Sequence, residues 1–212
     1  MSKSIAAAAA LLSLTLLGCS REGEIVSTGV ITTYTACPPV AIVAPTGDIT
    51  LFDPPQSRDS TAIDVVATMT NVRSTCDESG EFIVTNATFE VQARRRDNRG
   101  AREVVVPYFA SVVQGGANPV SKSVSRIALR FADGDYRATA SGTANSQVLR
   151  SVARLPEAIR DQITRERRPG DADAAVDPMT DPAVRAAVQR ASFELLLGFE
   201  LTPDQLRYNA TR

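Results

Sequence analysis

Three cysteines, Cys19, Cys37 and Cys76, carry the strongest intrinsic chemistry in this 212-residue chain, because it holds no histidine and no tryptophan. A thiol becomes a nucleophile or a metal ligand only when a neighbour draws off its proton. Without imidazole, the Cys-His, Ser-His-Asp and His-zinc arrangements are excluded. The cysteines also lack Cys-x-x-Cys spacing, which disfavours a redox or metal role. Acid-base chemistry would then fall to carboxylate pairs, and the candidates are Asp77-Glu78, Asp133-Asp135 and Asp171-Asp173. All three sit among turn-forming residues and read as solvated loop acids. The Asp-x-Asp pairs lack the further oxygen ligands and closing glutamate of a calcium loop. Neither Gly-x-x-x-x-Gly-Lys nor Gly-x-Gly-x-x-Gly occurs, which disfavours a nucleotide enzyme. The expectation is a non-enzyme with no catalytic residue, no metal and no cofactor.

The N-terminus has a processing pattern. Lys3 precedes an apolar stretch, Ile5 to Leu17, interrupted only by Ser13 and Thr15. That is the layout of a secretory signal, too short for a membrane span. It ends in Leu16-Leu17-Gly18-Cys19, which resembles the lipobox of bacterial lipoproteins. The resemblance implies that Cys19 becomes the first residue of the mature chain, with a diacylglyceryl group on its sulfur and an acyl group, such as palmitate, on its amine. Ser20 stands where the inner-membrane retention pattern has aspartate. By the family rule this implies the outer membrane of a Gram-negative envelope, facing the periplasm. The resemblance stops at Ser20; beyond it the chain is similar to uncharacterised small envelope lipoproteins. With Cys19 lipidated, Cys37 and Cys76 remain as an even pair in an oxidising compartment, where they are expected to form a structural disulfide.

Charge is balanced overall, at −1, and uneven along the chain. Residues 19–90 carry three arginines against ten acids. Residues 91–170 carry fourteen arginines and Lys122 against seven acids, and residues 171–212 carry four arginines against seven. No excess positive charge supports nucleic-acid binding. Two clusters are candidate anion-binding groups: Arg94, Arg95, Arg96, Arg99 and Arg102, and Arg160, Arg165, Arg167 and Arg168. Each guanidinium offers a planar fork to phosphate or carboxylate. Internal pairing between the oppositely charged segments is the alternative for both. The expected partners are the membrane, through a covalent lipid anchor, and an envelope protein or anionic envelope component.

The elements that must hold these groups follow from periodicity. Residues 1–18 read as the signal peptide, 19–28 as a lipidated tether and 29–153 as an antiparallel β region. Residues 154–212 read as a helical region packed on it within one domain. Strands are predicted over 25–34, 39–43, 49–52, 62–72, 82–94, 103–113, 120–131 and 136–152. Ile127, Leu129 and Phe131 alternate with polar neighbours, as on a sheet with one wet face. Asp133-Gly134 predicts a tight hairpin pairing the strands on either side. Helices are predicted from Leu155-Pro156, from Asp181-Pro182 and, with a capping box at Thr202 and Gln205, through Tyr208. Phe193 to Leu201 fits both a helix and a strand, and the helix to about Gly198 is preferred. The fold class is therefore α+β, mainly β: an antiparallel sheet or sandwich followed by a C-terminal helical segment. A carrier of a lipid or other hydrophobic ligand, and less so a carboxylate-dependent hydrolase, remain as alternatives to a non-catalytic binding, assembly or structural role.

Overall fold

A computed structural model describes residues 35–165 and 170–211. The signal segment, Cys19, the tether and the predicted strand at 25–34 lie outside the described residues, as do Arg167 and Arg168. The fold below is that of the unit Ile31–Arg165 and Ala175–Arg212. The described residues 170–174 belong to a separate cluster and form a turn in which the Ala174 N–H donates to the Asp171 carbonyl at 3.0 Å.

The chain is mainly β, with antiparallel sheets and a C-terminal helix. In order come β1 (Val40–Ile42), β2 (Asp48–Phe52), β3 (Ile63–Asp77), β4 (Phe82–Arg95), β5 (Arg102–Gln114), β6 (Asn118–Phe131) and β7 (Arg137–Leu149). Then follow α1 (Glu157–Thr164), α2 (Pro182–Ala191), β8 (Phe193–Phe199) and α3 (Pro203–Thr211). The strands form two four-stranded sheets, ordered β1-β8-β5-β6 and β2-β3-β4-β7.

Period-two alternation sorts the side chains. Along β4, Ile83, Ala87, Phe89, Val91 and Ala93 are buried, while Asn86, Thr88, Gln92 and Arg94 face water. Facing them from the other sheet are Val104, Val106, Tyr108, Leu129, Leu195, Leu197 and Phe199. The rings of Phe89 and Tyr108 meet edge to face at 5.1 Å. The Tyr108 hydroxyl donates to the Thr143 carbonyl at 2.9 Å, tying β5 to β7 across the core. Room for the Phe89 ring comes from Gly142, its register partner on β7, where an added Cβ would collide with Cζ of that ring.

Two expectations are corrected. The segment 193–199 is a strand, and the preceding helix stops at Ala191. Phe193, Leu195, Leu197 and Phe199 bury one face, and β8 pairs with β1 on one side and β5 on the other. A central sheet position satisfies backbone groups on both edges and suits the period-two pattern. Gly198 also fits closely there, its backbone against Thr46 and Phe109. The helical region thus contains a sheet strand.

The Asp133-Gly134 turn is the second correction, since it does not close a hairpin. β6 pairs with β5 and β7 pairs with β4, so the turn carries the chain from one sheet to the other. Gly134 takes φ +85°, as a tight turn requires whether or not its flanking strands pair. The predicted caps are present: Asp181 accepts from the Ala183 N–H at 2.8 Å, and Thr202 and Gln205 cap each other at 2.9 and 3.3 Å.

Candidate functional site

The first arginine cluster lies where β4 ends, beside the turn joining β6 to β7, and its members have separate roles. Arg95 continues the buried alternation of β4 and is 2% exposed. Its guanidinium donates to the carbonyls of Asp135 (2.7 Å), Gly100, Asn98 and Ala132 (2.8 Å each), and lies 5.1 Å from the centre of the Phe131 ring. A buried cation is tolerated because four of its five N–H groups find a carbonyl acceptor. Asp133 accepts the Gly100 N–H at 2.6 Å, and Asn98 and Gly134 exchange bonds of 2.9 and 2.8 Å. Arg95 therefore locks the β4–β5 loop to the β6–β7 turn and is closed to a ligand.

Arg99 and Arg102 hold neighbouring acids. Arg99 grips Asp97 through Nε and Nη2 at 3.0 and 2.6 Å. Hydrogen bonds from the Arg99 side chain and then from its backbone N–H hold the Asp97 carboxyl well below the usual carboxylate range. Arg102 makes a two-pronged pair with Asp64 at 2.8 and 2.5 Å.

Arg94 and Arg96 are exposed, and a third arginine joins them. Arg137, at the start of β7, stands directly opposite Arg94 in the ladder. The Arg96 N–H bonds to the Asp64 carbonyl at 2.9 Å, extending the pleat so that Arg96 follows Arg94 on the outward side. Among the described residues none of the three has an ion-pair partner. Like charges directly opposite across a sheet are destabilising. Arg137 could not be grouped with Arg94 from sequence, because forty-odd positions separate them and only the strand pairing brings them together.

Of the second cluster, Arg160 and Arg165 are among the described residues and Arg167 and Arg168 are not. Arg160 lies on α1 between Glu157 and Asp161, at 3.7 Å from each. Arg165 follows the helix, its N–H on the Asp161 carbonyl at 2.9 Å. Arg160 borders an open groove of about 510 Å³ with Arg154, Glu78, Glu157, Ala153 and Leu155. The mixed signs of this lining favour no single charge. Cys37 and Cys76 are bonded close by, with Cα atoms 6.1 Å apart, fastening the segment before β1 to the end of β3.

Of the acidic pairs, Glu78 borders the groove just described, and Asp171 and Asp173 lie in the separate cluster. Asp77 receives the Ser79 N–H at 2.9 Å, which holds its carboxyl below the ordinary range. Asp133 serves the Gly100 bond described above. Among the described residues no group of three or more cysteines, aspartates and glutamates could hold a metal ion. Of the tyrosines, Tyr108 is in the core, Tyr136 is exposed and Tyr208 stacks edge to face on Phe52 at 5.2 Å, while Tyr34 lies outside the described residues. No described helix is long and apolar enough to cross a membrane.

One buried feature went unnoticed in the sequence. Thr85 and Ser146, register partners on the inner face of β4 and β7, bury their hydroxyls without a hydrogen-bond partner. Their polarity breaks an otherwise apolar alternation, which is the signal that could have found them. No protein family, no curated protein and no solved structure matches this chain.

Proposed function

We propose that this protein is a cell-envelope lipoprotein, held by lipid on Cys19 at the outer membrane facing the periplasm, with a non-catalytic binding or assembly role. The observation that carries the binding role is the Arg94–Arg137 pair with Arg96 beside it, a like-charge group on an open sheet face. An anion lying between two opposed guanidinium forks relieves their repulsion and is met by charge-assisted bonds. The anchor rests on the Leu16-Leu17-Gly18-Cys19 pattern. Two or three acyl chains give stable attachment where one is marginal. Asp77 and Asp133 each spend their carboxylates on a backbone N–H, and Asp97 and Asp64 are held by arginines, which supports a surface that binds over a cleft that reacts. The carrier reading needs space between the sheets, and Phe89, Tyr108, Phe131 and Phe199 fill that region.

The test is crosslinking in intact cells followed by mass spectrometry, comparing the natural chain with Cys19→Ser and with Arg94→Gln/Arg137→Gln. A discrete partner or anionic component recovered with the natural chain and lost from both variants is the expected result. Equal recovery with all three chains would remove both the anchor and the arginine pair from the function.

A further inference from the structure

The arginine pair is one end of a long open face, and the composition of that face along β4 and β7 is graded. The next outward pair along β4 and β7 is Gln92 with Thr139, and further on come Thr88 with Thr143 and Asn86 with Asn145, all exposed. The far end is Phe82 opposite Leu149, each 41% exposed. From Arg94 to Phe82 is twelve residues of β4, about 40 Å at ordinary strand rise. On β2 the outward Thr50 is buried, and α3 packs beside that strand. The face over β3, β4 and β7 is left open.

We infer that this face binds an anionic polysaccharide, laid along β4 with its carboxylates or phosphates at Arg94, Arg96 and Arg137. The inference rests on the reading of those arginines as anion-binding. Length argues for a polymer, since a single small anion would use only one end. Chemistry argues for sugar: the hydroxyl and carboxamide side chains of the middle rows donate and accept at once, as sugar hydroxyls require. The exposed Phe82 ring gives an apolar surface on which a sugar ring can lie. Charge argues against a densely ionised polymer, because Glu90 sits in the middle of the face, about 13 Å from Arg94 along the strand. A membrane surface is disfavoured for a related reason. The exposed apolar pair lies at the end farthest from Arg94, Arg96 and Arg137, and Arg150 beside it spends Nη1 on the Glu78 and Ser79 carbonyls, whereas interfacial binding needs apolar and free basic groups together.

The test uses the full chain carrying Cys19→Ser, with three probes: alginate oligomers, neutral dextran and phosphatidylglycerol vesicles. Alginate should bind in a salt-sensitive manner and dextran should not. Arg94→Gln/Arg137→Gln should weaken alginate binding about tenfold, the size expected for two exposed ionic contacts. Arg94→Lys/Arg137→Lys should recover part of that loss, and Asn86→Ala/Asn145→Ala should weaken binding without changing its salt dependence. Thermal melting of each variant within a few degrees of the parent confirms folding, as expected for exposed positions. Vesicle binding lost in the arginine variant, with no alginate binding, would overturn the polysaccharide while leaving the anion-binding reading intact. Alginate binding that survives the arginine variant would overturn the placement. Binding to none of the probes would overturn both.

Discussion

Replacing Arg95 should destabilise the fold more than any other arginine substitution, and Arg95→Met is the informative variant. Methionine keeps much of the apolar stem against Phe131 and removes all four donors to Asp135, Gly100, Asn98 and Ala132. At about 1 kcal/mol net for each hydrogen bond, the loss is about 4 kcal/mol. Two of the carbonyls retain another donor, Asn98 from Gly134 and Ala132 from Asp135. Gly100 and Asp135 are exposed, so water takes over part of their loss. The expected destabilisation is therefore about 3 kcal/mol. In urea, with a slope of about 2 kcal/mol per molar, the midpoint should fall by about 1.5 M. Arg95→Lys should fall between, because one ammonium cannot reach four carbonyls in a planar fork. Amide exchange at Gly134 should accelerate in Arg95→Met while the β3–β4 ladder stays protected. A midpoint shift below about 0.5 M would refute the reasoning, because it would mean that the four bonds merely replace hydration.

Three further outcomes follow from other parts of the fold. Cys37→Ser/Cys76→Ser opens a covalent loop with a sequence separation of 39 and should lower stability by about 4 kcal/mol in a denaturation measurement, with reductant having no further effect on the variant. Gly142→Val drives a branched side chain into the Phe89 ring and should cost about 3 kcal/mol, whereas Thr143→Val, on the outward side, should be near neutral by thermal melting. Asp97 has its pKa lowered from an ordinary 3.8 in the folded chain, so its contribution is present above that value and is lost as pH falls through the depressed one. Urea midpoints measured from pH 5 to pH 2 should accordingly fall more for the parent than for Asp97→Asn, and parallel profiles would remove the Arg99 contact from the acid response.

Most of the strands were legible because alternation has a physical cause that acts locally: one face of β4, β5 and β7 must leave water. The helix starts were legible for the same reason, since Asp181 and Thr202 satisfy N–H groups within their own first turns. Pairing was not legible. Asp133-Gly134 states only that the backbone turns, and which strand β7 joins depends on its register with β4, forty to seventy positions away. At 193–199 the helical and extended patterns coincide, and the decision falls to the neighbours β1 and β5 that no local window contains. The arginine cluster shows the same limit. Its five members fall within nine positions of sequence, yet burial assigns Arg95 to the core, acids engage Arg99 and Arg102, and pairing adds Arg137 to what remains.

The mass of the mature chain tests the proposed lipid anchor on Cys19 most directly. Intact-mass and N-terminal peptide spectra of the protein extracted from cell membranes should show a chain beginning at Cys19, with the added mass of a diacylglyceryl group and an N-linked acyl chain. Cys19→Ser should lose that mass and leave the membrane fraction. A natural chain that begins at any other residue, or that carries an unmodified Cys19, would contradict the account.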